Sequence, residues 1–265
     1  MIALLLVTGL AVYPSGNYLH QAHRKLYGPA LALSENSSVG WQEWIDAVRG
    51  CTDCDAKLDV AVIGTTGADE LNAGFMSLHG VNSVETYILT AREPAQVAGC
   101  MERGIGDADV VFFKGGGSQC DFARWIRGTL VQNAVERVYQ RGGGVGASWP
   151  PLRYVITDGY FHDDDRFGRL AVFLARTFAQ INHRVDGLGI DKGTTVVITR
   201  DGLAHVFGLG AAYVVIADHA AEVLRRGQPL TYRGLRVWKF PAGTTLNSRA
   251  GGRMALERST SSKEN

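Results

Sequence analysis

Three consecutive signals fill the stretch Asp107–Leu170: DADVVFFKGGGSQCDFARW (107–125), RGGGVGASWPPLRY (141–154) and TDGYFHDDDRFGRL (157–170). In the first, the run DVVFF at 109–113 predicts a strand buried on both faces, ending in Lys114 and three glycines. A helix is expected next, from Asp121 to about Tyr139. Phe122, Ile126, Leu130, Ala134 and Val138 recur there at four-residue steps, and Trp125 and Val135 widen the same face. The second signal is a glycine-rich turn and a short apolar strand that delivers Ser148 at its end. Strand, helix, strand in that order implies parallel strands joined by right-handed crossovers. In such sheets ligands bind beyond the carboxyl ends of the strands, where both glycine turns fall.

The same grammar extends to either side. Gly28–Leu33 (GPALAL) and the helical stretch Trp41–Val48 read as an opening βα unit, and Leu58–Ile63 (LDVAVI) reads as a parallel strand. Ser83–Leu89 is a further strand, and Pro94–Arg103 a helix with proline in its first turn. Arg166–Gln180 is expected to be helical, with Phe167, Leu170, Phe173, Leu174 and Phe178 on its buried side. Beyond it, the runs TTVVIT, AHVFGL, AYVVIAD, LTYRGL and RVWKF predict antiparallel strands at one sheet edge. The expected class is therefore α/β: a doubly wound, mostly parallel sheet flanked by helices in three layers, with antiparallel strands added toward the C-terminus. Residues 28–248 are read as one domain, 1–27 as a signal peptide or an extra strand, and 249–265 as a polar, disordered tail.

A chain of 265 residues that is 46% hydrophobic can bury a substantial core. Its net charge of +1, with acids and bases mixed along the chain, gives no electrostatic reason to expect nucleic acid or an anionic membrane as partner. The partner expected is a small molecule or peptide, with no stable membrane association. The apolar N-terminal run MIALLLVTGLAV is too short to span a bilayer, so the compartment stays open between cytoplasm and export. Cys51 and Cys54 form a CxxC that can close a local disulfide or, with a second pair, bind zinc. No such pair accompanies it, which favours a disulfide or plain thiols, and no metal or cofactor is expected. Cys100 and Cys120 are read as small buried residues.

GGGSQ after a buried strand suits a phosphate cradle, an oxyanion hole or a plain tight turn. It lacks the lysine of a P-loop and the spacing of a dinucleotide fingerprint. GASWP has the look of a nucleophile elbow, with an ordinary turn serine as the alternative. Trp149, Pro150 and Pro151 follow it and disfavour an immediate helix. The run Asp163–Asp165 reads as a solvated acidic loop or a cation site. Arg166 and Arg169 read as carboxylate-binding groups or as solvation of a helix start.

Taken in order, GGGSQ, a long helix, GGGVGAS, DGYFHDDDRFGRL, GLGIDKGTT and HVFGLGAAYVVIAD resemble the cyanophycinase and peptidase E group of serine peptidases over about Gly28–Phe240. That group shares its fold with class I glutamine amidotransferases. The resemblance implies hydrolysis beside aspartyl residues, without a metal. It implies Ser148 as nucleophile, Gly116 and Gly117 N–H groups at the oxyanion, and substrate contacts from Gln119, Asp158, Arg166, Arg169 and Thr194. It also implies a homodimer. This sequence departs from the family pattern at the base: Tyr160 stands at the histidine position, Asp164 replaces an arginine, and only about ten residues separate Ser148 from Asp158. His162 is the nearby imidazole that can stand in, or a solvated loop histidine beside Asp163, Asp164 and Asp165. If Tyr160 and His162 shared a strand, they would share its face at roughly 6 to 7 Å separation. Two readings follow: a serine hydrolase, or an impaired homologue that retains the pocket as a binding module.

Overall fold

A computed structural model describes residues 10–17, 26, 28, 30–34, 38–97, 99–114, 126–146, 154–247 and 255–258. These fall into two compact units, 1–30 with 41–147 and 31–40 with 148–265.

Unit one contains the parallel strands. β1 (Leu10–Gly16), β3 (Leu58–Gly64), β4 (Val81–Leu89), β5 (Val110–Phe113) and β6 (Gly144–Gly146) lie in the order β1-β4-β3-β5-β6. β4, β3, β5 and β6 run parallel, and β1 is an antiparallel edge strand with Leu10 opposite Leu89. Register assigns the faces. Thr86, Val62 and Phe112 are partners and share one face. Helices α1 (Trp41–Arg49) and α2 (Asn72–Met76) cover it: the Trp41 ring stacks on Phe75 at 4.1 Å, and both meet Phe112 edge-on. Asn72 also accepts a hydrogen bond from Thr86 at 2.5 Å and donates to Ser15 and to the Tyr13 carbonyl, tying α2 to β4 and β1.

Tyr87, on the other face, lies against Gly104, so this face carries α3 (Arg92–Val97), α4 (Gly99–Asp107) and α5 (Leu130–Gln140). Every residue of β3 is buried, as a strand covered on both faces requires. Helices α3 and α4 fall on the helix expected over 94–103, with residue 98 between them outside the described residues, and Cys100 is exposed rather than buried. The long helix expected from 121 is interrupted: Ile126 is helical, residues 127–129 turn, and a helix resumes at Leu130. Gly128 has a positive φ of 69° and Thr129 is extended, with its hydroxyl donating to the Ile126 carbonyl at 2.6 Å. That turn interrupts the four-residue stripe.

Unit two is dominated by antiparallel pairing. β2 (Ala30–Ser34), β9 (Thr194–Ile198), β10 (Leu203–Gly208), β13 (Thr245–Asn247) and β14 (Ala255–Arg258) follow one another, all antiparallel. β14 places a strand inside the segment expected to be a disordered tail. A second sheet has the order β12 (Arg236–Pro241), β11 (Ala211–Ala217), β8 (Val185–Ile190), β7 (Val155–Gly159), with β7 and β8 parallel. LTYRGL forms no strand. Only Thr231 bridges, to Val223, while Tyr232 and Leu235 pack on the core beside Leu174, Val185 and Val215.

Helix α6 (Phe167–Ile181) lies on this second sheet through Leu170, Ala171, Leu174, Ala175 and Phe178. Gly187 admits it, since a Cβ there would stand 2.9 Å from the Leu170 side chain. Phe167 and Phe173, expected on the buried side, are 39% and 42% exposed. The stripe 170, 171, 174, 175 and 178 is already complete with two alanines that bring the helix close to the sheet, and it leaves both phenylalanines on the flank.

Candidate functional site

Asp158 is carried by β7, opposite Gly189 on the parallel neighbour, and is buried within the sheet. The chain leaves the strand at Tyr160, whose φ of 50° is left-handed, and turns through 161–166 into α6. Phe161 anchors that turn. Its N–H donates to the Ile190 carbonyl at 3.1 Å, and its ring lies over Gly189, where a Cβ would come within 2.4 Å. The geometry therefore differs from the shared strand considered for Tyr160 and His162: both lie in turns after β7, because the left-handed residue ends the alternation of faces.

The turn brings both arginines to Asp158. Arg169, in the first turn of α6, grips the carboxylate with two nitrogens, Nε at 3.0 Å from Oδ2 and Nη2 against Oδ1. Arg166 Nη1 stands 3.8 Å from the same carboxylate and donates to the Gly159 carbonyl at 2.9 Å. Its Nη2 pairs with Asp164, and its guanidinium lies 5.3 Å from the centre of the Tyr160 ring. Buried charge demands such pairing, and the bidentate fork of arginine supplies it. The result is an acid inside the sheet edge with two guanidiniums mounted on it, Arg169 half exposed at 48%.

A second acid supports the turn from below, and sequence reasoning did not single it out. Asp191 follows β8, is buried, and uses both oxygens: Oδ1 accepts the His162 backbone N–H at 3.0 Å, while Oδ2 accepts the Ala211 N–H at 3.0 Å and the Tyr213 hydroxyl at 3.3 Å. Thr194, fully buried, accepts the Gly210 N–H at 3.1 Å. Gly210 permits this approach, for a Cβ would stand 2.6 Å from that of Asp191. GLGIDKGTT and the glycines of HVFGLGAAYV thus form one joint, and the available signal was an acid between a strand and a glycine turn. The His162 side chain is exposed. Asp163 accepts the Lys192 N–H at 3.1 Å and Asp164 pairs with Arg166. Among the described residues no group of three or more His, Cys, Asp or Glu is placed to hold a metal ion. No described helix is long and apolar enough to cross a membrane.

In unit one, Lys114 follows β5 and immediately precedes the GGGSQ sequence. Its N–H donates to the Ile63 carbonyl at 2.8 Å, and its ammonium pairs with Glu70 in the loop after β3. The hydrogen bond from Lys114, followed by backbone N–H donors including that of Ala68, lowers the Glu70 carboxyl to about 2. Gly116, Gly117 and Gln119 of the glycine turn lie outside the described residues, as do Cys120 and Ser148 with its following Trp149 and Pro150.

No protein-family model matches the sequence, and no curated protein matches it. Among solved structures, a peptidase from an acI-B1 actinobacterium superposes with a TM-score of 0.51 at 15% sequence identity, over 84% of this chain and 98% of its own. The chain is similar to that peptidase in fold: a mixed α/β arrangement with a parallel sheet flanked by helices and additional antiparallel strands.

Proposed function

We propose that this protein is a serine-type peptidase or isopeptidase that hydrolyses bonds next to aspartyl residues, of the kind found in aspartyl dipeptides or cyanophycin. The observation that carries this reading is the likeness in fold to a peptidase over nearly the whole of that chain, joined to the ordered motifs of the sequence. In the proposed reaction Ser148 attacks the carbonyl beside the aspartyl residue, with His162 taking its proton. The N–H groups of Gly116 and Gly117 meet the charge that develops on the carbonyl oxygen. Gln119, Arg166 and Arg169 orient the substrate, whose carboxylate suits a guanidinium that Asp158 already holds in one rotamer. Asp158 and Thr194 complete the proposed substrate-binding set, and Tyr160 occupies the histidine position of the motif. The substrate is a small peptide, and the enzyme works without metal as a homodimer.

A second reading rests on the same turn. The His162 backbone is tied to Asp191 and Tyr160 fills the histidine position, which favours a pocket that binds an aspartyl peptide without turnover. One experiment separates the two. Purified protein and Ser148→Ala are incubated with β-Asp-Arg, α-Asp dipeptides and cyanophycin. Hydrolysis lost in the variant supports the enzyme. Saturable binding with no hydrolysis by either supports the binding module.

A further inference from the structure

The Cys51–Cys54 pair lies apart from the features above, in the bends that follow α1, with the Cα atoms 6.0 Å apart and both residues partly exposed. The two sulfurs face unlike neighbours. Cys54 Sγ is 3.6 Å from Nη2 of Arg49, and the same nitrogen donates to the Cys54 carbonyl at 2.5 Å. Cys51 Sγ is 3.7 Å from the Arg49 carbonyl oxygen. Arg49 cannot withdraw. Its side chain has no exposed surface, Nη1 is held at 2.9 Å by Asp46 and at 3.2 Å by the His79 carbonyl and Nδ1, and a Cβ at Gly80 would fall 2.3 Å from its Cζ. Its Nε is buried with no hydrogen-bond partner. One sulfur therefore has a fixed cation beside it, and the other an acceptor for a thiol proton.

We propose that Cys51–Cys54 is a redox-active site that undergoes thiol–disulfide exchange with an external dithiol, with Cys51 as the attacked sulfur and Cys54 as the leaving thiolate held by Arg49. The reagent's thiolate attacks Cys51 Sγ and forms a mixed disulfide, while the Cys51–Cys54 bond breaks and its electron pair departs on Cys54 Sγ. The reagent's second thiolate then attacks its own sulfur in the mixed disulfide and closes the reagent's ring. It expels Cys51, which takes a proton and donates it toward the Arg49 carbonyl. Two electrons pass from the dithiol to the protein, and the reagent leaves as a cyclic disulfide. The direction follows from the leaving group: the sulfur that is better stabilised as thiolate leaves faster.

Charges that oppose this are weaker. Asp53 and Asp55 flank Cys54 in sequence but are exposed, where solvent screens them, whereas the guanidinium is buried and in contact with the sulfur. Asp46 balances the guanidinium at the opposite nitrogen, His79 meets it as an acceptor, and Lys57 is exposed.

The test uses full-length Cys51→Ser and Cys54→Ser proteins. Each is labelled with iodoacetamide across a pH series, and peptide mapping separates the remaining cysteine from Cys100 and Cys120. Cys54 in Cys51→Ser is expected to react with a midpoint at least about one pH unit below that of Cys51 in Cys54→Ser, roughly a tenfold gain in thiolate below both midpoints. Equal midpoints, or a higher one for Cys54, overturn the proposal. Brief exposure of the wild type to 2-mercaptoethanol, followed by acid quenching, is expected to leave the adduct on Cys51. An adduct chiefly on Cys54 refutes the assigned direction.

Discussion

Strands β5 and β7 each bring charge to their carboxyl ends, but with the burial reversed. At the end of β5 a largely buried ammonium, Lys114, meets an exposed carboxylate, Glu70, in a neighbouring loop. In β7 the carboxylate of Asp158 is buried and the guanidiniums of Arg166 and Arg169 reach it from the more exposed side. The first arrangement fastens a loop at little energetic risk, because water solvates Glu70 whether or not the lysine is there. The second commits the fold. Without its arginines, Asp158 would be a bare charge inside a sheet, and without Asp158 two cations would crowd one turn.

Asp158→Asn tests that difference most severely. It removes the charge that both guanidiniums share and is expected to cost about 2 to 4 kcal/mol in urea unfolding. That is near the lower end of values for broken buried pairs, because Arg169 is half exposed. A loss within experimental error would mean that Asp158 is not the keystone of the turn.

A smaller and pH-dependent effect is expected at His219, whose two ring nitrogens both face acceptors: Asp218 Oδ1 at 3.0 Å and the Arg233 carbonyl at 2.8 Å. Only the imidazolium can donate to both. The hydrogen bond to Asp218, and then that to Arg233, raises the His219 pKa above its ordinary 6.5. The sign follows. This contribution is complete below 6.5 and is lost as the pH rises through the raised folded value. Asp218 is lowered, chiefly by His219, so its own contribution is complete above 3.8 and is lost as the pH falls through the lowered value. NMR titration should show a His219 midpoint above 6.5 that falls in Asp218→Asn, and a midpoint at or below 6.5 contradicts the clasp.

The smallest effect on stability belongs to the Lys114–Glu70 pair. Lys114→Met should lower the unfolding midpoint slightly at neutral pH, since water screens the exposed carboxylate, and return the Glu70 carboxyl from about 2 toward its ordinary 4.5. In the wild type this contribution is complete above 4.5 and is lost as the pH falls through about 2. A Glu70 titration that does not respond to Lys114→Met would disprove the pairing.

Much of the architecture was legible in local pattern. LDVAVI and DVVFF are apolar but for one aspartate each because strands in the middle of a parallel sheet are covered on both faces, and such runs need no partner to be recognised. Arg166 and Arg169 were legible as carboxylate ligands, but the carboxylate they meet in the fold is Asp158. Where the pattern misled, a single residue outweighed periodicity. Gly128 and Thr129 stop a helical stripe that continues in the sequence, and Tyr160 turns left-handed where a strand would have continued. Phe167 and Phe173 look like core residues, yet the core was filled by residues with a closer approach to Gly187.

By itself, the sequence determined the class of this protein. The alternation of apolar strands, glycine turns and amphipathic helices admits few arrangements other than an α/β sheet with antiparallel additions, because each element must bury its apolar face and each short connection limits where the next can go. Only the tertiary structure decided which charges meet. Asp191 gathers donors from His162, Ala211 and Tyr213, and Arg49 reaches the ring and carbonyl of His79. Hydrogen-bond partners depend on distances of a few ångströms between segments far apart in the chain, and residue order records nothing of such distances until the backbone is folded.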